Sequence, residues 1–169
     1  MGPMIVGKMM LDTEKKSVAL ETVMSEKEFE GRKLCLLKAE GPAATVGRPA
    51  DALEKIFAEN KPDIIIMVDA ALKLEGEDTG SIAQGFGAAI GGIGTERFQI
   101  EEVATKYNIP IYAIVIKQSI KEAITLMKKE IADSSDIVSS QVYDIIKGNT
   151  KTGQCALVIG VGNTLGVSQ

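Results

Sequence analysis

The chain has 169 residues, of which 45% are hydrophobic and 25% charged, and its net charge at pH 7 is −4. This balance is typical of one globular domain with a sizeable core, and the scattered Lys and Arg residues give no basic face for nucleic acid. The absence of histidine excludes Ser-His-Asp and Cys-His catalysis and most zinc sites. No apolar run reaches the roughly 18 residues that a membrane span needs, so we predict a cytoplasmic protein without a membrane partner.

The N-terminal part of the chain predicts a β-hairpin followed by a core strand. Residues 4–11 and 17–24 have the apolar content of two strands, and the polar residues 12–16 between them suit a turn. Residues 32–38 form a short apolar run. We therefore expect a hairpin at the N-terminus, joined to a buried strand of the main sheet.

A helix and a central strand follow. Pro49 suits the first turn of a helix, and Leu53 and Ile56 fall on one face of that helix. Residues 64–69 are apolar at every position up to Asp69. A strand that is apolar on both faces is typical of the centre of a parallel sheet.

The second half of the chain alternates between helical and strand patterns. Thr95 is a suitable N-cap because its hydroxyl can accept a hydrogen bond from a free N–H group of the first helical turn. The predicted elements are a helix at 95–107, a strand at 111–116, helices at 119–131 and 135–147, and a strand at 154–161.

This order of elements predicts an α/β fold. Helices that alternate with apolar strands indicate a three-layer α/β/α sandwich, here with an N-terminal β-hairpin. We expect a single domain over residues 1–169, with residues 1–30 as the hairpin extension and residues 31–169 as the core. An alternative is that the chain is a fragment of a longer protein.

The segment 76–94, GEDTGSIAQGFGAAIGGIG, contains seven glycines among its nineteen residues. We interpret it as a glycine-rich loop, because such loops persist where the chain turns sharply or where backbone N–H groups approach a ligand. It follows a predicted strand, as do the loops 39–47 and 162–166. Ligands of parallel sheets bind at this edge, so we predict a shared ligand pocket. The alternative is that the glycines serve only turns and packing.

Three carboxylates near this edge are candidates for chemistry. Asp69 ends an apolar run, where partial burial would tune its ionisation, and it could be a general base, a metal ligand or a hydrogen-bond anchor. The alternative is that Asp69 caps nearby backbone N–H groups. Glu75 and Asp78 form an acidic cluster with Glu77 that could join Asp69 in a site for Mg²⁺ or Mn²⁺, but a solvated loop face is the favoured explanation.

Two arginines complete the predicted pocket. Arg48 and Arg97 each begin a predicted helix beside a glycine, which suits the binding of an anion or a carboxylate. Pairing with a nearby Glu is the alternative for both. The remaining predicted ligand-binding residues come from the three loops: Thr45, Gly47, Gly91, Gly92, Gly94 and Asn163.

Several segments resemble the spore germination protease family. They are EGPAATVGRPADAL, KPDIIIMVDAALKLEGEDTGS with the glycines after it, IPIYAIVIKQS, and LVIGVGNTLG. The last is also similar to hydrogenase maturation peptidases. An uncharacterised archaeal protein family is a second resemblance, and it implies no function.

The protease resemblance implies a phosphorylase/hydrolase-like fold. The chain would be circularly permuted, because its GVGN segment comes last. The resemblance also implies a catalytic pair of aspartates, of which only the one at Asp69 is present, and a substrate-orienting role for Asn163.

We therefore expect a non-catalytic ligand-binding or assembly domain that kept a peptidase-like scaffold and lost one acid. The alternative is a peptidase-like hydrolase, in which Asp69 activates water, loop amides form an oxyanion hole and a divalent metal takes part. The expected partners are a small molecule, a peptide, or a second copy of the chain paired through the hairpin. No other cofactor is indicated.

Overall fold

The computed structural model describes residues 1–40, 47–59, 61–89 and 94–162, apart from the side chains of residues 94 and 95. In these ranges none of the helices is long and apolar enough to cross a membrane. The helices are α1 Gly2–Met9, α2 Pro49–Glu59, α3 Gly94–Lys106, α4 Ile120–Ala123 and α5 Lys129–Asn149; the strands are β1 Lys16–Ala19, β2 Thr22–Phe29, β3 Arg32–Ala39, β4 Ile64–Leu72, β5 Ile82–Phe86, β6 Ile111–Gln118 and β7 Cys155–Gly160.

The strands form one mixed sheet in the order β1-β2-β3-β7-β4-β6-β5. Its centre is parallel, from β3 through β7 and β4 to β6. Antiparallel strands flank this centre, with β1 and β2 on one side and β5 on the other. The prediction of an α/β fold is confirmed, and β4 lies in the parallel centre as its apolar run predicted.

Alternate residues of the sheet enter two separate apolar clusters, because successive side chains of a strand point to opposite faces. In β4, Ile64, Ile66 and Val68 pack with the residues of α1 and α5. Ile65 and Met67 pack with α2 and α3 instead. The two clusters explain why the central strand is apolar without alternation.

The predicted strand at residues 4–11 is wrong, since this segment forms helix α1. Pro3 stands in the first turn of the helix, where its missing N–H group costs nothing. Ile5, Val6 and Met9 are buried at helical spacing. The hairpin lies further along the chain, between β1 and β2, and its turn includes Glu21 with a φ of 50°.

The expected glycine-rich loop and the two expected helices after it also differ from the structure. Residues 82–86 of that loop form the edge strand β5. The predicted helix 119–131 is one short turn, α4, and the following helix begins at Lys129 rather than at residue 135. A salt bridge of 2.6 Å between Lys128 Nζ and Glu122 Oε1 links the two helices where the predicted helix is interrupted.

Candidate functional site

The carboxyl ends of β3, β7 and β4 meet at one edge of the sheet. Lys38 of β3 lies opposite Gly160 of β7, which lies opposite Val68 of β4. The three predicted loops therefore start from adjacent strands. Four of the predicted ligand-binding residues lie outside the described residues, so the pocket that they would complete stays a prediction: Thr45, Gly91, Gly92 and Asn163.

Asp69 is buried inside β4 and does not end the strand, which continues to Leu72. Only 2% of Asp69 is exposed. Its Oδ1 accepts a hydrogen bond of 2.6 Å from the N–H group of Ala70, and it interacts electrostatically with Met1. Gly162, with a φ of 91°, passes so close that a Cβ atom at that position would lie 2.0 Å from Oδ1.

The first turn of α1 covers the strand ends beside Asp69. A Cβ atom on Gly2 would lie 2.0 Å from the carbonyl oxygen of Val68 and 2.4 Å from that of Val161. A general base must reach its substrate or a water molecule, and the structure instead surrounds Asp69 with the chain's own backbone. This geometry gives no support to the hydrolase alternative.

The two predicted anion-binding arginines pair with acidic residues of α2 and α3. Arg48 is 3.8 Å from Asp51 Oδ2, and Arg97 Nε is 3.3 Å from Glu101 Oε1. Both pairs are exposed, so each stabilises the fold by little. Arg97 thus pairs with a nearby Glu, the alternative left open by the sequence, whereas the carboxylate beside Arg48 belongs to an aspartate.

A carboxylate of the protein already binds the start of α2. Glu96 Oε2 accepts a hydrogen bond of 3.2 Å from the N–H group of Ala50. Helix N-termini favour negative charge, so the anion that we expected from a ligand is supplied by α3. Gly47, with a φ of 66°, packs against the hairpin turn: a Cβ atom added to Gly47 would lie 2.5 Å from the carbonyl oxygen of Glu21. The other predicted glycine in the described residues, Gly94, is the first residue of α3.

The proposed metal ligands do not come together. Glu75 and Asp78 are exposed in the loop after β4, whereas Asp69 is buried. Throughout the described part of the chain, no group of three or more Cys, Asp or Glu side chains could hold a metal ion. The acidic residue between the two, Glu77, binds Lys117.

A polar network that the sequence analysis missed ties this loop to α4. Thr79 Oγ1 donates to Glu122 Oε1 at 2.9 Å and accepts from Lys73 Nζ at 3.0 Å. Glu122 also accepts a hydrogen bond of 2.7 Å from the N–H group of Ser119, whose hydroxyl caps α4 in return. The sequence signal was present, because Ser119 and Glu122 have the spacing of a capping box.

The network fixes an exposed apolar surface, which we call the apolar patch. Leu72 lies opposite Gln118, and the N–H group of Lys73 donates a hydrogen bond of 2.9 Å to the carbonyl oxygen of Gln118, so Leu74 and Ile120 each follow shortly after this last pairing of β4 with β6. Ile124 follows one helical turn later. The patch consists of Leu72, Leu74, Ile120, Ile124 and Leu126, which are 62%, 73%, 67%, 72% and 89% exposed. No periodicity in the sequence distinguishes these residues from core positions.

A polar groove of about 690 Å³ lies on another side of the sheet, between the hairpin and the end of α2. Its charged lining includes Glu14, Lys16 and Glu59, together with the ion pair between Lys33 Nζ and Glu26 Oε1 at 3.0 Å. The two signs of charge are mixed along the groove. It therefore favours no single class of ligand.

These features define a mixed α/β domain with exposed apolar side chains beside the carboxyl ends of β4 and β6. Its fold is similar to the crystal structure of a proteasome-assembly chaperone homologue from Mycobacterium tuberculosis, with a TM-score of 0.51 and 10% sequence identity over 84% of this chain and 68% of that chain. The chain belongs to the family described as "Domain of unknown function (DUF1512) C-terminal", which it matches over residues 1–168. No curated protein matches the sequence.

These comparisons overturn the resemblance to the germination protease and hydrogenase maturation peptidase families. The family match covers nearly the whole chain, and the similar fold is that of a chaperone homologue. The resemblance was based on short apolar strands followed by glycines, which parallel sheets share for steric reasons. The circular permutation and the loss of a second catalytic aspartate were inferred only from this resemblance, so both inferences are withdrawn.

Proposed function

We propose that this chain is a non-catalytic assembly domain that binds another protein through the apolar patch. The observation that carries this proposal is the exposure of five large apolar side chains in the segments that follow the carboxyl ends of β4 and β6, where each side chain is at least 62% exposed. Exposed apolar patches with a polar border mark sites of protein interaction. An assembly role also fits the class of the chaperone homologue, although that likeness concerns the fold alone.

The structure around the patch supports binding of a preformed surface. The hydrogen bonds and ion pairs of Glu122 with Thr79, Ser119 and Lys128 hold the two segments that carry the patch. Because these segments are already fixed, a partner would not have to order them on binding, and less of the binding free energy would be lost. We expect the partner to present a complementary apolar surface.

The test is a binding measurement on variants of the patch. A partner is first identified by cross-linking the tagged chain in extracts of its source cells and is then purified. Leu74→Ser and Leu126→Ser should each weaken binding of the purified partner about tenfold or more, since burial of a leucine contributes about 1.5–3 kcal/mol. Isothermal titration calorimetry gives both dissociation constants.

The matched control is Leu20→Ser, which changes a leucine that is 71% exposed on the hairpin turn, away from the patch. Its affinity should equal that of the unaltered chain. Equal affinities for both patch variants and the control would contradict the proposal. So would turnover of a peptide, ester or nucleoside that disappears in Asp69→Asn while the fold persists.

We further propose that the sheet and its helices form a three-layer α/β/α sandwich in a single domain over residues 1–169. The two apolar clusters, one with α1 and α5 and one with α2 and α3, support this arrangement. The assignment to phosphorylase/hydrolase-like folds came from the overturned resemblance to the protease family and is withdrawn with it. Binding of a small molecule and a cytoplasmic location stay predictions.

A further inference from the structure

The strand β5 leaves one edge of the sheet open. It is the last strand in the sheet order and pairs only with β6. Hydrogen bonds from Gly87 N to Ile111 O at 3.0 Å and from Lys117 N to Ser81 O at 2.8 Å show that the odd-numbered residues face β6. In an antiparallel pair the alternate residues direct their N–H and C=O groups outwards. These are Ile82, Gln84 and Phe86, and no described residue pairs with their outer edge.

The opposite edge of the same sheet is protected in three ways. The strand β1 begins at Lys16 directly after Lys15, it contains a register shift between Ser17 and Ala19, and Lys55 Nζ donates a hydrogen bond of 2.5 Å to the carbonyl oxygen of Val18. Lysines, bulges and covering side chains are the usual means by which sheets prevent edge pairing.

Among the residues that the structure describes, none provides these protections at β5. The segment 81–87, SIAQGFG, contains no charged residue and no proline. Phe86 is 82% exposed and packs only its inner side on Tyr112, with ring centroids 4.8 Å apart. An exposed, uncharged edge strand with an aromatic side chain can accept another strand.

We infer that β5 pairs antiparallel with β5 of a second copy of this chain, around a two-fold axis at Gln84. In this register Gln84 faces the partner's Gln84, and Ile82 faces the partner's Phe86. Each outward-facing residue then exchanges backbone hydrogen bonds with its opposite, and two sheets become one. The inference goes beyond the proposed assembly function and does not depend on it, because β5 and the apolar patch are different surfaces.

The chemistry of the edge favours a second copy over an unrelated strand. A two-fold interface brings each residue against the same segment, so a charged edge would repel itself. The uncharged segment avoids this repulsion, and the symmetry places Phe86 over Ile82 twice. The contact is small compared with the roughly 1,200 Å² of a stable interface, so we expect a dimer whose population depends on protein concentration.

The test uses opposite charges at the two-fold axis. Sedimentation velocity over a range of concentrations should show a monomer–dimer equilibrium for the unaltered chain. Gln84→Lys alone and Gln84→Glu alone should each raise the dissociation constant at least about tenfold, because like charges then face each other. An equimolar mixture of the two variants should recover the dimer. Only pairing around residue 84 predicts this recovery.

Two controls separate this result from damage to the fold. Gln84 is exposed, so both variants should keep the thermal unfolding midpoint of the unaltered chain. Ser17→Lys, which adds a charge at the protected edge, should leave the dimer unchanged. The inference is overturned if the unaltered chain stays monomeric at every concentration. It is also overturned if the single variants dimerise normally or if their mixture fails to recover.

Discussion

Among single residues, Glu122 shows how one carboxylate organises the edge that carries the apolar patch. The hydrogen bond from Lys128 and that from the N–H group of Ser119 lower the pKa of Glu122 from 4.5 to about 2. Both interactions favour the charged form, and they outweigh the effect of burial. The ionised carboxylate is therefore part of the folded structure.

This gives a prediction for the dependence of stability on pH. Because the pKa is lower in the folded chain than in the unfolded one, Glu122 contributes stability above pH 4.5, and this contribution disappears as the pH falls from about 4.5 to about 2. Urea unfolding of the unaltered chain and of Glu122→Gln should give free energies that differ above pH 4.5 and converge towards pH 2.

A variant of Lys128, the residue whose ammonium group pairs with Glu122, provides a comparison for this pH dependence. Lys128→Met keeps the carboxylate but removes the ammonium group, so the pKa of Glu122 in the folded chain should rise towards 4.5, and the loss of stability on acidification should be smaller and complete at a higher pH. Parallel curves for the unaltered chain and both variants between pH 2 and 7 would show that the network does not stabilise the fold.

The element that sequence reasoning misjudged most is α1. The segment MIVGKMML contains apolar residues at almost every position, so periodicity could not distinguish a strand from a buried helix. In the structure α1 packs on β3, β4 and β7 and contributes Ile5, Val6 and Met9 to the core. Its first turn also covers the strand ends where we expected a ligand pocket.

Two glycines of α1 give a paired test of this packing. Gly2→Ala should destabilise the chain by at least about 2 kcal/mol, because its Cβ atom would meet three backbone atoms of Val68 and Val161 within 2.7 Å. Gly7→Ala should be neutral or stabilising by up to about 1 kcal/mol, since its Cβ atom would contact only Lys38 Cδ at 3.5 Å and alanine favours helix. Chemical denaturation measures both, and equal effects would refute the packing of α1.

The strand β5 shows a second limit of sequence reasoning. Glycine and small residues are depleted in strands, and SIAQGFG therefore indicated a loop. Pairing with β6 overrides this weak preference, because five residues of β5 lie opposite residues of β6 and the alternate, odd-numbered ones form backbone hydrogen bonds with it. By contrast, β7 and, apart from Asp69, β4 are apolar, and both were predicted as strands, although β4 extends to Leu72 instead of ending at Asp69.

Across the whole molecule, the two cysteines report on the integrity of the parallel centre. Cys35 of β3 and Cys155 of β7 are buried, with their Sγ atoms 3.7 Å apart. The hydrogen bond with Cys155 and burial raise the pKa of the Cys35 thiol. Because the thiolate is the reactive form, the thiol of Cys35 should be inert in the folded chain.

The corresponding prediction concerns reaction with Ellman's reagent. Both cysteines should react only as fast as the molecule opens, and both should react at once in concentrated urea. Val158→Ala, which removes buried methyl groups from the neighbouring core, should accelerate the labelling by the factor by which it raises the equilibrium constant for opening, about tenfold for each 1.4 kcal/mol of lost stability. Rapid reaction of either thiol in the unaltered native chain would contradict this view of the core.

The sequence by itself determined the α/β class, the central position of β4 and the exclusion of histidine chemistry, because these follow from local composition and from runs of apolar residues. Only the tertiary structure decided that 2–9 is a helix, that 82–86 is an edge strand and that Asp69 is buried. Each of these depends on which segments meet in space. The side chain of Asp69 is suited to catalysis, but Gly162, just beyond β7, and Met1, just before α1, lie close to it in the folded chain although both are far from it in sequence.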